Sequence, residues 1–325
     1  MIKTHEGGPV SRIGLGCWQL GDDCWGDVSE DTAQSILREA YEAGVTFFDT
    51  ADVYGGGLSE SRIGRFLRES GADVTVATKS GRFGEPGWPL NFTRDAIRKH
   101  TEASIQRLGV GALDLVQLHC IPTEVLVQGE VFETLRELQT EGLIKAWGVS
   151  VESVEEGLLC LTQPGLASLQ VIFNALRQKP AHVLLPRAGQ MGVAIIVRLP
   201  LASGILAGKY TAETTFPAND HRNWNQDGGA FHVGETFNGI PFVEAVAFAD
   251  ELKTSLPEGW SLGDAALRWI LDHEAVTTII PGASKPGQAT RNVAALKLPS
   301  LPDSVKEGWA KLYSEQVEKT IRGNL

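Results

Sequence analysis

The stretch Val45-Thr46-Phe47-Phe48-Asp49-Thr50 is an apolar run that ends in polar residues. It follows an amphipathic helical pattern over residues 31–43 and a glycine at position 44. A run that is apolar at consecutive positions is typical of a parallel strand buried on both faces, and a glycine after a helical pattern is a common helix end. The stretch therefore predicts one helix–strand unit of an α/β fold.

The same unit recurs along the chain. Apolar runs predict eight strands, at Ile13–Trp18, Val45–Thr50, Asp73–Lys79, Ala112–His119, Ile144–Ser150, Ser168–Asn174, Val193–Leu199 and Val276–Pro281. Amphipathic patterns between them predict helices, among them Asp31–Ala43, Thr93–Leu108, Glu130–Glu141 and Val154–Leu161. This alternation predicts a parallel (β/α)8 barrel, also called a TIM barrel, in a single domain over residues 1–325. An open doubly wound sheet is disfavoured, because its G-x-G-x-x-G signature after a strand is missing.

The longest interval between predicted strands follows the seventh strand and runs from Leu199 to Val276. It contains a polar stretch, rich in Asn, Asp and Gly, between positions 211 and 239. A long loop in a compact barrel is usually functional or mobile. We therefore expect the loop after strand 7 to contribute to a site rather than to mark a domain boundary.

The composition limits the classes of partner. Lys and Arg number 29 against 40 Asp and Glu, so the formal net charge is −11, which repels nucleic acid and anionic membranes. No apolar run is long enough to cross a membrane, and the segment Met1–Pro9 lacks the apolar core of a signal peptide. The cysteines are scattered, as reduced thiols would be; they are Cys17, Cys24, Cys120 and Cys160. We therefore expect a cytoplasmic protein that binds neither nucleic acid nor membrane.

Polar residues stand at the carboxyl ends of five consecutive predicted strands. They are Asp49, Lys79, His119, Ser150 and Asn174. In a parallel barrel these ends lie on one face, where barrel enzymes have their active sites. Taken alone, Asp49 could be a loop hydrogen-bonding group, Lys79 a solvated charge and His119 a core histidine. Their convergence on one face instead predicts an active site.

Short motifs at these strand ends resemble the aldo-keto reductase family. The matching segments are Phe48–Gly55, Ala77–Lys79, Leu118–His119, Gly148–Ser150 and Ile280–Ser284, in the order in which the family has them. The resemblance extends from Gly14 to about Asn292. It implies an NAD(P)H-dependent carbonyl reductase whose substrate is a small-molecule aldehyde or ketone. The catalytic tetrad that it implies is Asp49, Tyr54, Lys79 and His119.

The tetrad suits the transfer of a proton to a reduced carbonyl group. Hydride addition to a carbonyl carbon creates an alkoxide, to which Tyr54 would donate a proton as general acid. A nearby Lys79 ammonium is expected to lower the pKa of the phenol from about 10. Asp49 would hold Lys79 in place, and His119 would donate a hydrogen bond to the carbonyl oxygen. The four side chains would thus act as one acid–base unit.

The resemblance also implies a nicotinamide cofactor, with NADPH favoured and NADH still open. The residues that would bind it are Ser150, Gln170, Asn174, Arg198, Pro200, Leu201, Ser203, Gly204, Lys209, Gly282, Ser284, Lys285, Gln288, Arg291 and Asn292. Ser150 and Asn174 resemble the residues that hold the carboxamide, with Gln170 beside them. The segment 201–210 resembles the one that runs along the pyrophosphate. We expect the stretch 211–241 to close over the bound cofactor.

The segment around Ser284 bears on which cofactor is used, and Arg198 bears on whether the enzyme favours reduction or oxidation. A helix that starts near Ser284 would offer spare N–H groups to phosphate, with Lys285 and Arg291 beside them, which favours NADPH. Relatives often have Lys-Ser directly after the Ile-Pro pair, where this chain has Gly282. Arg198 stands where many members have an aromatic residue, and its guanidinium could stack on the nicotinamide. Its charge would disfavour the cationic oxidised cofactor and bias the enzyme towards reduction.

Tryptophans in predicted loops of the active face suggest an aromatic-walled substrate pocket. They are Trp18, Trp25, Trp88 and Trp224. One alternative is a barrel that binds the cofactor as a sensor or subunit without significant turnover, but the intact tetrad argues against it. A metal-dependent hydrolase is disfavoured because His119 is the only histidine at a predicted strand end, so we predict no metal site. The sequence leaves the natural substrate and the oligomeric state open.

Overall fold

The computed structural model describes residues 2, 8–21, 25 and 28–324. Cys24 and most of the segment 1–9, on which two of the expectations above rest, lie outside these residues. The strands are β1 (Leu15–Gly16), β2 (Phe47–Asp49), β3 (Thr75–Ser80), β4 (Leu115–His119), β5 (Trp147–Ser150), β6 (Ser168–Ile172), β7 (Ala194–Arg198) and β8 (Val276–Ile279). They form one sheet in chain order, and each strand pairs in parallel with the next.

The first strand also joins the last. Parallel bridges link Ile13 to Ile279 and Gly16 to Gly282. The Gly14 amide donates a hydrogen bond to the Ile279 carbonyl oxygen at 2.8 Å. The sheet therefore closes into a barrel, and the predicted (β/α)8 fold class is confirmed.

The helices occupy the connections between strands. Among the described residues they are α1 (Glu30–Glu42), α2 (Leu58–Ser70), α3 (Arg94–Leu108), α4 (Thr123–Gln128), α5 (Glu130–Thr140), α6 (Val154–Cys160), α7 (Leu184–Gln190), α8 (His221–Trp224), α9 (Phe242–Thr254), α10 (Leu262–Leu271), α11 (Gln288–Ala294) and α12 (Asp303–Glu315). In the part of the chain that the structure describes, no helix is both long and apolar enough to cross a membrane.

The predicted bounds of the strands were less accurate than those of the helices. The four predicted helices agree with the structure to within one residue at each end, whereas β4 begins at Leu115 rather than at Ala112. The reason is that an apolar residue in the sequence indicates burial. A buried residue need not pair with the neighbouring strand of the sheet. Leu113 is buried and forms only an isolated bridge with Ile144, outside the strands.

Helix α1 shows how the sequence forms the outer layer. The Ser29 hydroxyl accepts a hydrogen bond from the Thr32 amide at 3.2 Å and so caps the helix. The buried residues of α1 recur at the spacing of one helical face; they are Ala33, Ile36, Leu37 and Ala40. Gly44, with a φ of 91°, then lets the chain turn into β2.

Alternation along β2 explains its continuous apolar run and the position of Asp49. Phe47 belongs to the cluster inside the barrel, whereas Phe48 packs in the larger cluster between the sheet and the helices. Because side chains alternate along a strand, Asp49 returns to the interior at the carboxyl end of β2.

The same alternation of side chains places the other polar residues in the interior of the barrel. Ala77, Leu115 and Ile196 belong to the inner cluster. Positions two or four residues later on the same strands share their face. These later positions are Lys79, Gln117, His119 and Arg198. Together with Asp49 of β2, polar groups from four strands therefore replace the apolar core at the carboxyl end of the barrel.

The predicted long connection after β7 is present and covers this end of the barrel. We call residues 199–241 the late loop. It contains 3-10 turns at Ala202–Ala207, Val233–Glu235 and Phe237–Gly239, as well as the short helix α8. Helices α9 and α10 follow before β8 completes the barrel.

Candidate active site

Lys79 lies at the centre of the polar end of the barrel and is 1% exposed. Its ammonium nitrogen, Nζ, is 2.5 Å from Asp49 Oδ1 and 2.9 Å from the Thr50 carbonyl oxygen. It also donates a hydrogen bond to the Tyr54 hydroxyl at 3.2 Å. Burial disfavours the charge of Lys79, but the neighbouring Asp49 and Tyr54 outweigh burial and raise the pKa of the ammonium. The cation is therefore held in place beside the phenol.

Tyr54 is positioned by a tight turn after β2. Gly55 has a φ of 61°, and a Cβ atom at that position would lie 1.8 Å from the Gly21 carbonyl oxygen. Only glycine fits there, so the loop after β1 and the loop after β2 approach closely. The Tyr54 ring stacks on Trp18 with centroids 5.8 Å apart and meets His119 edge-on at 6.0 Å.

Two glutamines hold the second carboxylate oxygen of Asp49. Gln170 Nε2 donates to Asp49 Oδ2 at 2.7 Å, and Gln117 Nε2 donates to the same oxygen at 3.2 Å. Gln117 escaped the sequence analysis because it stands inside β4 rather than at its end. Together with Lys79, the glutamines give Asp49 three hydrogen-bond donors, so that the buried carboxylate oxygens are not left without partners.

The expected lowering of the Tyr54 pKa was wrong. Burial raises the pKa of Tyr54 to about 12, although Lys79 lowers it part of the way and Asp49 raises it. The interaction with Lys79 has the expected sign, but the sequence did not reveal how strongly the phenol is desolvated. Tyr54 is therefore a neutral acid throughout the physiological pH range.

His119 is also neutral. Burial, with Arg82 and Lys79 next in importance, lowers the pKa of His119 well below its usual value of 6.5. Its Nδ1 atom is buried and has no hydrogen-bond partner among the described residues. A neutral imidazole has one N–H donor, so His119 can bind an oxygen at the site by hydrogen bonding without giving up a proton.

Two cavities meet at these side chains. The larger, of about 730 Å³, opens over β3, β4 and the late loop. The smaller, of about 340 Å³, runs from the loop after β1 across β7 to the segment after β8. The residues that line both cavities border what we call the neck; they are Trp18, Tyr54, His119 and Glu235.

Known proteins resemble this chain in sequence and in fold. The model of the aldo/keto reductase family matches residues 12–313. The chain belongs to the aldo/keto reductase family.

Individual relatives match most of this aldo/keto reductase. It is 32% identical to the aldo-keto reductase YhdN of Bacillus subtilis, over 86% of this chain and 83% of YhdN. It is 28% identical to the NADH-specific methylglyoxal reductase of Escherichia coli, over 96% of each chain. Its structure matches that of the glycerol dehydrogenase AKR11B4 from Gluconobacter oxydans with a TM-score of 0.77, at 30% identity over 97% and 95% of the two chains.

Most of the cofactor-binding residues that were expected in this aldo/keto reductase line the smaller cavity. They are Gln170, Arg198, Pro200, Leu201, Ser203, Gly204, Lys209, Gly282, Ser284 and Gln288. The residues that do not line it are Ser150, Asn174, Lys285, Arg291 and Asn292.

Asn174 and Ser150 are engaged inside the protein instead. The Asn174 amide donates to the Leu199 carbonyl oxygen at 2.8 Å and to Asn238 Oδ1 at 3.1 Å. It therefore anchors both ends of the late loop. The Ser150 hydroxyl is buried and lies 3.7 Å from the Cys120 sulfur.

The expected start of the helix near Ser284 was wrong. Helix α11 begins at Gln288, after Gly287 with a φ of 84°. The Gln288 side chain accepts hydrogen bonds from the Ser284 and Lys285 amides at 2.7 and 3.0 Å. Glu39 of α1 accepts from the Gly287 amide at 2.6 Å. The spare N–H groups that were expected to bind phosphate are therefore partly satisfied by side chains.

Arg198 lines the smaller cavity, and its charge is offset. Its Nη1 atom is 3.5 Å from Glu235 Oε2, and its Nη2 atom donates to the Val151 carbonyl oxygen at 3.3 Å. Its Nε atom is buried without a partner among the described residues. Because Glu235 offsets the charge, we expect the bias against oxidised cofactor to be weaker than it would be for an isolated guanidinium.

A cluster of charged residues beside the neck was not found from the sequence. Arg82 bridges Glu152 and Glu235 at 3.2 Å each, and His232 Nδ1 lies 3.0 Å from Glu152. Burial and Glu235 raise the pKa of Glu152. These residues come from loops after β3 and β5 and from the late loop, so no strand-end pattern marks them.

Part of this cluster has the composition of a metal site. Single atoms of Cys120, Glu152 and Glu235 lie within 4.8 Å of one another. However, Arg82 and Arg198 contact the same groups and would repel a metal ion. Burial also raises the pKa of Cys120 to about 12, so its sulfur is a thiol and not the thiolate that binds metals.

The tryptophans are divided between the two cavities. Trp18, Trp88 and Trp224 line the larger one. Trp25 lines only the smaller cavity, where its ring lies 4.3 Å from His221 and 4.7 Å from the Arg222 guanidinium of the late loop. The loop after β1 and the late loop thus meet across the smaller cavity.

Proposed function

We propose that this protein reduces the carbonyl group of a small aldehyde or ketone with NADPH, and that Tyr54 donates the proton. The observation that carries the proposal is the neck, where Tyr54 and His119 border both cavities and Lys79 donates a hydrogen bond to the Tyr54 hydroxyl. The smaller cavity would take the cofactor, and the larger would take the carbonyl compound.

The residues of the smaller cavity fit a nicotinamide dinucleotide. Its wall offers a hydroxyl group from Ser284, an amide group from Gln288 and a cation from the exposed Lys209. Gly204, with a φ of 97°, has no side chain that would narrow the path along the late loop. These features suit polar ribose and phosphate groups that lie along the chain.

The tetrad would act at the carbonyl oxygen. When bound, a reduced nicotinamide supplies a hydride to the carbonyl carbon in the neck. Tyr54 then gives its proton to the oxygen, and His119 donates a hydrogen bond that holds the oxygen in line. Lys79 stabilises the phenolate that remains, and Asp49 with its two glutamines fixes Lys79.

The raised pKa of Tyr54 favours reduction over alcohol oxidation. A phenol with a pKa of about 12 is still a stronger acid than the alcohol that it creates, since hydroxyl groups such as that of water have a pKa of about 15.7. Proton donation is thus downhill. Oxidation would need the phenolate, which is scarce near neutral pH.

Exposed cations near α11 support NADPH over NADH. Lys285 and Arg291 are exposed, and the structure records no ion pair for either of them within the described part of the chain. They flank Ser284 and Gln288, which line the smaller cavity. An extra phosphate on the adenosine would gain from these charges, whereas NADH would not.

The proposal is tested by following the absorbance of the reduced nicotinamide. Purified protein is mixed with NADPH or NADH and with a panel of aldehydes that includes 4-nitrobenzaldehyde, and the alcohol product is identified. We expect consumption of the cofactor with formation of the alcohol, faster with NADPH at limiting concentration. Binding of NADPH without consumption for any carbonyl compound would contradict the proposal and favour a cofactor-binding sensor or subunit.

A further inference from the structure

Glu235 is the residue of the neck that the proposed reaction does not use. Of the four residues that line both cavities, Tyr54 and His119 would contact the carbonyl oxygen. A substituent on the neighbouring carbon atom would then lie beside the other two, which are Trp18 and Glu235. One offers an aromatic ring and the other a carboxylate.

The Glu235 carboxylate is ionised and accepts hydrogen bonds only. Arg82 Nη1 lies 3.2 Å from its Oε1 atom, and Arg198 Nη1 lies 3.5 Å from its Oε2 atom. Burial opposes the charge, but the two arginines outweigh burial and lower the pKa of Glu235. Because an ionised carboxylate has no proton to donate, its partner in a substrate must be a donor.

Arg82, the arginine on the wall of the larger cavity, is engaged, whereas Arg198 lines only the smaller cavity and has one atom, Nε, without a partner among the described residues. Arg82 Nη2 also contacts Glu152 at 3.2 Å, and Arg198 Nη2 donates to the Val151 carbonyl oxygen at 3.3 Å. In the larger cavity, an anionic group on the substrate would meet Glu235 without gaining an unpaired arginine, since Arg82 is paired with Glu152 and Glu235. A hydrogen-bond donor at the same place would instead join the donors that the carboxylate already accepts from, which are Arg82 at 3.2 Å and the Cys120 thiol at 3.8 Å.

We propose that Glu235 is a specificity-determining residue that selects carbonyl compounds with a hydroxyl group on the carbon next to the carbonyl. This inference rests on the proposed carbonyl reductase function and narrows its substrate class to hydroxyaldehydes and hydroxyketones. Keto acids and dicarbonyl compounds present acceptors at that position and are poor substrates, because acceptor and carboxylate repel one another.

The test compares hydroxyacetone with butanone, two ketones of similar size that differ in the neighbouring hydroxyl group. We expect kcat/KM with NADPH to be at least about tenfold higher for hydroxyacetone, as for a hydrogen bond to a charged group. Glu235→Gln removes the negative charge and lowers this ratio about tenfold or more. Glu213→Gln, in the same late loop but on neither cavity wall, leaves the ratio unchanged.

The ratio of kcat/KM for hydroxyacetone to that for butanone distinguishes a change of specificity from a general loss of activity. Glu235→Gln also removes the partner of two arginines, so butanone serves as the internal reference and Glu235→Asp, which keeps the charge, as the second variant. The proposal is overturned if wild-type protein reduces butanone as efficiently as hydroxyacetone, a result that requires no variant. Failure of the proposed function differs from this outcome, because then neither ketone nor any aldehyde is reduced.

Discussion

Tyr54 and Lys79 illustrate how burial and charge compete at a single residue. Lys79 donates a hydrogen bond to the Tyr54 hydroxyl at 3.2 Å and favours the phenolate. Desolvation acts in the opposite direction and is stronger, so the pKa of Tyr54 rises to about 12. The protonated phenol, which reduction requires, is therefore present at every pH below that value.

The first prediction concerns the pH dependence of the two directions. The kcat for carbonyl reduction should stay flat between about pH 6 and 10, because Tyr54 remains protonated throughout this range. The rate of alcohol oxidation should instead rise by about tenfold per pH unit, since the phenolate fraction does. Steady-state rates in both directions test this. A fall in kcat for reduction with a midpoint near pH 8 would refute the assigned acid.

The second prediction concerns the buried ion pair of Asp49 and Lys79. Asp49→Asn leaves the ammonium without its carboxylate, which should lower the free energy of unfolding by about 3–5 kcal/mol. The double variant Asp49→Asn/Lys79→Met removes both charges and should lose less than the sum of the two single changes. Urea unfolding measures these values, with Asp31→Asn on the exposed face of α1 as control. Strictly additive losses would argue against the pair.

The sequence could predict the site residues whose position follows from the alternation of side chains along a strand. It could not predict the residues that the conformation of a loop brings to the site. Asp49, Lys79 and His119 follow apolar strands at inward positions, so their convergence was predictable. Glu235 reaches the neck through the conformation of the late loop, which no periodic pattern encodes. Burial at the junction of several loops is likewise invisible in the chain, which is why the pKa of Tyr54 was misjudged.

Two elements meet over the smaller cavity. Trp25, from the loop after β1, contacts His221 and Arg222 of the late loop at 4.3 and 4.7 Å. Arg222 is itself held by Asp220 and donates to the Tyr210 hydroxyl at 2.5 Å. A dinucleotide in this cavity would lie beneath the contact, and the contact would have to open for it to leave.

A third prediction follows for the release of the cofactor. Trp25→Ala removes an aromatic and a cation–π contact, and the dissociation rate of NADPH should rise about tenfold. Stopped-flow fluorescence measures the rate, and Trp88→Ala, at an exposed position on the larger cavity, is the matched control. We also expect NADPH to protect the stretch 211–241 from protease. An unchanged rate together with equal protease sensitivity would exclude closure by this loop.

The segment before and within α11 gives a fourth prediction, on cofactor preference. Lys285→Ala and Arg291→Ala should each weaken NADPH binding by about two- to fivefold, as expected for exposed charges, and leave NADH binding unchanged. Fluorescence titration with both cofactors provides the dissociation constants. Lys297→Ala, an exposed cation just after α11, is the control. Equal weakening for NADPH and NADH would show that the two residues do not bind the extra phosphate.

At the scale of the whole molecule, closure of the sheet makes every strand depend on its neighbours. The chain order of the eight strands was predictable from the alternation of apolar runs and helices, whereas their exact ends were not, because buried residues such as Leu113 extend beyond the ladder. We propose that residues 1–325 form one domain. Heat unfolding should then show a single transition that coincides in near- and far-ultraviolet circular dichroism, and two separated transitions would contradict this.

The central claim is that a carbonyl group is reduced in the neck with Tyr54 as the proton donor. The most direct measurement is kcat with 4-nitrobenzaldehyde, together with the dissociation constant of NADPH, for Tyr54→Phe and for the control Tyr41→Phe on the outer face of α1. We predict that Tyr54→Phe lowers kcat by about 100- to 10,000-fold and leaves NADPH binding nearly unchanged, whereas Tyr41→Phe changes neither. A Tyr54→Phe protein that keeps kcat within tenfold of the wild type would contradict the account.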